Sequence, residues 1–356
     1  MKILLRYFFK EFFKLFLIVI LSMTAMMVIA EFFDKIDMFY SKKAPASIML
    51  QYLVLLSPKY ILYSAPIASL LAILITIGRA SKWKETVAIK ASGGSLKRIF
   101  SAFLILGVLI SFTALLFGEI VVPAAVKKAT WVKDTKILKQ SRKISFRAKA
   151  LWLKGIDGSL IRIRGFVENE NKVVGIGIYV FDPSFDIEKR IEAEEGEWVD
   201  GIWRLKNVTV FDFSNDTISK HDSLTTHAIE EPKIFREEMK KPEEMNFMEL
   251  HRYYSRLENA GFRNVKYVMR LYEKLSYPTV NFVMILFGLT ISLNARWGGG
   301  IRSAGLGIAI SVIYWLIYSI SISLGNTGSV PPWFAPWISP LIFGIAGSIM
   351  FVRMKE

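Results

Sequence analysis

A chain of 356 residues that is 53% hydrophobic, with a mean hydropathy of +0.36, is not a single soluble domain unless its apolar residues are clustered. Its formal net charge of +15 would suit a nucleic-acid partner, but most of the excess Lys and Arg lies beside apolar segments, where anionic lipid headgroups account for it. We therefore predict a membrane protein with no nucleic-acid partner.

Six apolar segments are long enough to cross a bilayer, because a helix rising about 1.5 Å per residue needs about 20 residues to span about 30 Å of hydrocarbon. They are residues 12–33, 60–77, 99–122, 275–293, 304–324 and 333–352. The first resembles a cleavable signal peptide up to Val28-Ile29-Ala30, but its apolar run continues through Phe33, so we expect it to be retained. Pro58 and Pro66 predict a kinked or extended second helix.

The Lys and Arg residues of the short loops predict the orientation of these helices, because such residues accumulate on the cytoplasmic side. Fourteen lie at the two termini and in the loops after the second and fourth helices, against four in the opposite loops. Both termini are therefore predicted to be cytoplasmic and the central region to be periplasmic.

The central region holds most of the acidic residues and reads as short alternating runs bounded by Gly, Asp and Asn, which is typical of antiparallel strands. The runs are residues 150–154, 159–164, 173–181, 187–192, 203–213 and 224–229. The predicted fold class is a mainly α-helical membrane protein with six transmembrane helices and an inserted all-β, jelly-roll-like periplasmic domain. Its predicted domains are residues 1–124 with helices one to three, the β domain at 125–245, and 246–356 with a linker helix at 247–260 and helices four to six.

The sequence offers little that could catalyse a reaction. It has no phosphate-binding loop of the G-x-x-x-x-G-K-[ST] type, no Cys, three His and no H-E-x-x-H pattern, so we predict no enzyme activity and no cofactor. Any ATP hydrolysis then needs a partner protein. Glu31 and Glu119 lie near the outer ends of their helices, where we expect both side chains to reach the membrane interface.

The predicted cytoplasmic loop after the second helix contains a short amphipathic helix at about residues 81–92, with Ser81 as its N-cap and Gly93 at its end. Glu85 is the lone acid among six basic residues there. Two interpretations remain open from the residues alone: an interfacial helix held by lipid, or a coupling helix that docks into an ATPase.

At these residues a family resemblance appears. Glu85 to Gly93, which reads E-T-V-A-I-K-A-S-G, resembles the coupling loop of the lipopolysaccharide-export permeases, the LptF/LptG family. Further similar motifs are Pro58-Lys59, Gly118 to Pro123, and Pro331-Pro332 with Trp337 and Pro340. The resemblance covers the whole chain, and residues 31–37 are more similar to the LptG branch.

The resemblance implies a permease of the inner membrane that extracts lipopolysaccharide and passes it through its β domain towards the outer membrane. The implied partners are an LptB ATPase dimer, a related permease (LptF if this chain is the LptG type), LptC and the periplasmic bridge protein LptA. The implied ATPase-coupling residues are Glu85, Ala88 and Gly93. The implied lipopolysaccharide-binding residues are Lys35, Lys59, Lys127, Lys128, Lys133 and Lys136.

One position departs from the family pattern. LptG relatives can carry Lys in the first helix where this chain has Glu31, and Lys35, one turn further on, can take its place. Two other functions remain as alternatives at this point. One is a permease of another ABC system with a mechanotransmitting or lipid-export role, although mechanotransmitting permeases usually place four spans around such a domain. The other is a membrane-bound lipid or cell-wall enzyme, although the sequence contains no assembled acid, base, nucleophile or metal set.

Overall fold

The structure is a computed structural model that describes residues 2–138, 143–145, 151–155, 157–167, 170–182, 186–229, 231–232, 242–259, 265–293 and 300–353. The chain divides into two compact units. A helical unit comprises Met1–Val132, Pro242–Tyr254 and Arg263–Glu356, and a sheet unit comprises Lys133–Lys241 and Ser255–Phe262.

The described residues before the sheet form six α-helices: α1 (Lys2–Asp34), α2 (Ile36–Ser41), α3 (Ala46–Lys82), α4 (Glu85–Ala91), α5 (Leu96–Phe100) and α6 (Ala102–Trp131), which a π-helical turn (Val132–Ile137) continues. Those after the sheet form α7 (Phe247–Asn259), α8 (Val265–Leu293), α9 (Gly300–Thr327) and α10 (Ile338–Val352). Two 3-10 turns, Pro242–Glu244 and Ala335–Trp337, precede α7 and α10.

Six of the described helices are long and apolar enough to cross a membrane, which confirms the six predicted spans. The second span is longer than predicted, because α3 runs unbroken over 37 residues with Pro58 and Pro66 inside it. The helix is therefore extended, and a kink at either proline remains a prediction. The predicted linker helix is α7, and its last predicted residue, Ala260, lies outside the described residues.

Helices α3 and α8 form the interior of the helical unit. In the apolar 18-residue stretches of α3 and α8, 72% and 67% of the residues are buried, against 17% in the corresponding stretch of α1. Their contact includes a buried polar pair, since the Ser69 hydroxyl donates to Asn281 Oδ1 at 3.3 Å, and the Asn281 amide donates to the Pro278 carbonyl at 3.1 Å. These bonds satisfy polar groups that would be costly to bury alone, and so they fix how the two helices meet.

The sheet unit contains seven described strands, all paired antiparallel: β1 (Lys143–Ser145), β2 (Leu151–Lys154), β3 (Leu160–Val167), β4 (Lys172–Phe181), β5 (Ile187–Val199), β6 (Ile202–Asp212) and β7 (Thr217–Thr226). β3 to β7 pair in sequence order, and β1 and β2 both pair with β3. This inserted antiparallel sheet confirms the predicted fold class. The described strands form a meander, so a jelly-roll closure remains a prediction for this chain.

One face of the sheet supplies its core. Phe166 and Trp203 are fully buried there, and alternate residues of neighbouring strands pack around them, as a period of two requires. The turn between β5 and β6 has two residues, Asp200 and Gly201, with φ of 53° and 82°. Two positive φ values in succession match the right-handed twist of a hairpin, and an Asp-Gly pair adopts them readily.

Two strands differ most from their predicted limits. β5 continues to Val199, seven residues beyond its predicted end, because lysines on neighbouring strands neutralise its acidic second half. Lys172 bonds Glu195 at 2.6 Å and Lys206 bonds Glu197 at 2.8 Å, and the latter bond lowers the pKa of the Glu197 carboxyl. β7 begins at Thr217 instead of residue 224, because the backbone of its polar first half also pairs with β6.

Candidate functional site

The predicted coupling helix is shorter than expected. Ser81 and Lys82 complete α3, and the chain then turns through Lys84, whose φ is 56°, before α4 begins at Glu85. Ser81 therefore does not cap α4. The predicted end is correct: Gly93 has φ of 78°, which glycine adopts without strain, and the Gly94 N–H donates to the Ile89 carbonyl at 2.9 Å.

The two faces of α4 have different surroundings. On the inner face Ile89 is 6% exposed and belongs to an apolar cluster with four phenylalanines: Phe8, Phe12, Phe100 and Phe103. On the outer face Val87 is 60% exposed, and Trp83, just before the helix, is 71% exposed. Ala88 is exposed beside them. Exposed tryptophan and valine next to lysines are typical of a surface that a partner protein or the membrane covers.

Glu85 is half-buried and has a partner within the chain. The Tyr7 hydroxyl donates to Glu85 Oε1 at 3.2 Å, and this bond joins the first turns of α1 to the start of α4. Close by in the sequence, Arg79 bonds Glu11 at 3.3 Å and joins the end of α3 to α1. The lone acid of the loop is therefore part of a contact that sequence reasoning missed, because its partner lies 78 residues away.

The other end of the helical unit, which we call the linker end, contains a small cavity. Lys59, Leu62 and Tyr63 of α3, Glu119 of α6, and Arg270 and Lys274 of α8 are among the residues that line it. Its volume is about 80 Å³, below the roughly 150 Å³ that hold one benzene molecule. The cavity therefore has room for water but not for an acyl chain.

Glu119 joins three elements at the linker end. Its Oε1 accepts a hydrogen bond from Lys274 Nζ at 3.1 Å, and its Oε2 accepts one from the Phe247 N–H at the start of α7. Both charged side chains of this pair are less than one quarter exposed. Partners inside the protein therefore satisfy the charge of Glu119, and its expected position at the membrane interface remains a prediction.

A second ion pair lies beside Glu119. Arg270 bonds Glu273 at 2.7 Å and approaches Glu243 at 3.6 Å, while the Tyr318 hydroxyl donates to Glu273 Oε1 at 2.6 Å. Arg270 and Glu273 precede the predicted fourth span, which begins at residue 275, and neither had a predicted role. Their spacing of three residues on one helix face, next to an apolar run, was the signal that could have identified them.

Glu31 is also paired inside the helical unit. Its two oxygens accept hydrogen bonds from Tyr52 at 3.1 Å and from Tyr60 at 2.8 Å. Both tyrosines belong to α3, so the pairing links α1 to α3. Two phenol donors therefore satisfy the Glu31 carboxylate, and its expected position at the membrane interface remains a prediction.

The predicted lipopolysaccharide-binding lysines lie in different surroundings. Lys59 lines the cavity, with its ammonium 5.8 Å from the ring centroid of Tyr63. Lys35 follows α1 and forms an ion pair with Asp34, whose hydrogen bond raises the pKa of the Lys35 ammonium. Lys127 and Lys128 are exposed on α6, and Lys133 and Lys136 are half-buried in the π-helical turn. Of the six, only Lys59 is among the described residues that line the cavity.

Comparison with known proteins shows which proteins this chain is similar to. The model of the family "Lipopolysaccharide export system permease LptF/LptG" matches residues 6–353. A curated relative, the lipopolysaccharide export system permease protein LptG of Escherichia coli strain K12, is 22% identical over 292 residues, which cover 79% of each chain. The protein of the same name from Escherichia coli O6:H1 strain CFT073 matches with the same identity and coverage.

Proposed function

Since the chain belongs to the LptF/LptG family of lipopolysaccharide export system permeases, we propose that it is the LptG-type subunit of an ABC transporter in the inner membrane. It extracts lipopolysaccharide from that membrane and passes the lipid by way of its β domain towards the outer membrane. The observation that carries the coupling part of this proposal is the surface of α4, where Trp83 and Val87 are exposed beside Glu85.

A separate ATPase dimer of the LptB type binds this surface. The exposed apolar side chains supply area to bury, while Glu85 offers a carboxylate to an Arg or Lys of the ATPase. Ala88 is small and exposed, so a partner can approach the backbone of α4 closely. Gly93 ends the helix and so limits the docked surface to two turns.

The lysines near the linker end bind the phosphates of lipopolysaccharide. Lys59, Lys127 and Lys128 present ammonium groups, which attract phosphate as point charges. Lys133 and Lys136 continue this basic series along the chain. Lys35 is already paired with Asp34, so a phosphate there has to compete with that carboxylate. A related LptF-type permease, LptC and the bridge protein LptA complete the proposed complex.

The proposed orientation predicts a simple labelling result. The chain has no cysteine, so single cysteines at exposed Ala91 and Ser214 report one site each. In intact spheroplasts an impermeant maleimide is expected to label Ser214→Cys but not Ala91→Cys, because the sheet is periplasmic and α4 is cytoplasmic. Permeabilised cells, in which both sites react, are the control. Labelling of Ala91→Cys alone in intact spheroplasts would reverse the topology.

Docking predicts an effect at Glu85. Glu85→Ala removes a charge-assisted bond worth about 1.5 kcal/mol or more, so the affinity for the ATPase should fall about tenfold and less ATPase should co-purify. Pull-down with a tagged permease measures the effect. Asp222→Ala, which removes an exposed carboxylate from β7, is the matched control and should retain the ATPase. Full retention by Glu85→Ala would mean that the ATPase does not use this carboxylate.

A further inference from the structure

The contact between α4 and α1 has no role in the docking just proposed. Tyr7 lies in the second turn of α1, and its hydroxyl reaches Glu85 Oε1 at 3.2 Å. α1 continues from there through a full span to Glu31, which bonds Tyr52 and Tyr60 of α3 near the opposite end. A single helix therefore connects the start of α4 to the linker end.

Apolar packing holds the same junction. Phe8, the neighbour of Tyr7, is 1% exposed, and its ring centroid lies 5.0 Å from that of Phe100 in α5. Ile89 of α4 is buried in the same cluster. Because close-packed interiors transmit displacement instead of absorbing it, a movement of α4 must also move the start of α1.

We propose that Tyr7 is a positioning residue for transport: its hydrogen bond to Glu85 makes α4 and the first turns of α1 move as one body, so that displacement of α4 by the ATPase reaches α1 directly. This inference rests on the proposed function. Glu85 then has two roles, an ionic one towards the ATPase and a hydrogen-bonding one towards α1. These roles separate, because the first needs a charge and the second needs only an acceptor oxygen.

Two conservative variants distinguish the two roles. Tyr7→Phe removes only the hydroxyl and leaves the Glu85 charge in place, whereas Glu85→Gln removes the charge and keeps an oxygen that accepts from Tyr7. We expect Tyr7→Phe to keep wild-type ATPase retention and ATP turnover while lipid transferred per ATP falls about two- to fivefold, the range for an exposed pair. Glu85→Gln should lose ATPase retention instead. Tyr40→Phe, at a tyrosine that is 87% exposed on α2, is the control for loss of a hydroxyl.

The measurements use the complete complex in proteoliposomes with a lipid-accepting bridge protein. Wild-type transfer per ATP in Tyr7→Phe would overturn the inference, and so would loss of ATPase retention, which would assign Tyr7 to docking. Failure of the wild-type chain to bind any ATPase would instead contradict the proposed function. The two failures are therefore distinguishable.

A distance measurement tests the same inference without transport. Spin labels at Lys10→Cys on α1 and Ala91→Cys on α4 report the separation of the two helices, because both positions are exposed and the chain has no other cysteine. In the otherwise wild-type complex we expect one distance that stays constant with and without ATP. In Tyr7→Phe the distribution should broaden when nucleotide is added. A nucleotide-dependent change in the complex that retains Tyr7 would show that α4 and α1 move separately.

Discussion

Glu119→Ala is expected to destabilise the protein by about 2 to 4 kcal/mol, as measured by chemical denaturation in detergent. The substitution removes the acceptor of two hydrogen bonds from different elements, Lys274 of α8 and the Phe247 N–H at the start of α7. It also leaves the Lys274 ammonium, 18% exposed, without the carboxylate that balances its charge. Loss of one partner of a poorly solvated ion pair costs more than loss of the pair itself.

Because an unpaired charge costs more than the loss of both charges, further variants can separate the two effects. Glu119→Gln keeps an acceptor for the Phe247 N–H but removes the charge, so its effect should be intermediate. Combining Glu119→Ala with Lys274→Met should cost less than the sum of the two single changes, because the double variant leaves no unpaired charge. Asp37→Ala removes an exposed carboxylate from α2 and should stay within about 0.5 kcal/mol of wild type. Additive single effects would show that Glu119 and Lys274 do not interact in solution.

The six spans could be predicted from the sequence, because a bilayer requires about 20 consecutive residues with few charges, and such a run is visible in a short stretch of sequence. The limits of α4 depend on more. Ser81 has the side chain of an N-cap, but it lies inside the last turn of α3, which continues to Lys82 after a long buried span. The turn falls instead at Lys84, which adopts a left-handed conformation that no local pattern predicts for lysine.

The candidate site was predictable only where its residues lie close together in the sequence. Glu85 and Gly93 stand in one continuous motif, so the sequence alone was enough to propose both. The charge pair of Glu119 joins residues that are 155 positions apart, and the Tyr7 contact to Glu85 joins residues 78 apart. A single sequence shows that Glu31 and Glu119 carry charge near the membrane. Which donors satisfy that charge follows only from the packing of the helices.

Gly288→Leu is expected to destabilise the protein by about 3 kcal/mol, the upper part of the range for overpacked interiors. Gly288 lies in α8 at its contact with α3, where an added Cβ would come within 2.5 Å of Ile73 Cγ2 and 2.9 Å of Leu70 Cδ1. Both neighbours are fully buried, and the Cγ2 of an isoleucine in a helix can move only by leaving its one strongly preferred χ1 rotamer. Small residues at such positions let helices approach closely in a membrane. Denaturation in detergent measures the loss.

Gly305→Leu is the matched control, because Gly305 is also a glycine within a membrane span, and nothing lies within 4 Å of its added Cβ. Leucine has a higher helix propensity than glycine by roughly 0.5 to 1 kcal/mol, so this variant should be as stable as wild type or slightly more stable. Gly288→Ala should lie between wild type and Gly288→Leu, since one methyl group already meets Ile73 while alanine favours the helix. Equal stability of Gly288→Leu and Gly305→Leu would mean that α3 and α8 separate without cost, which contradicts the buried Ser69 to Asn281 bond between the same two helices.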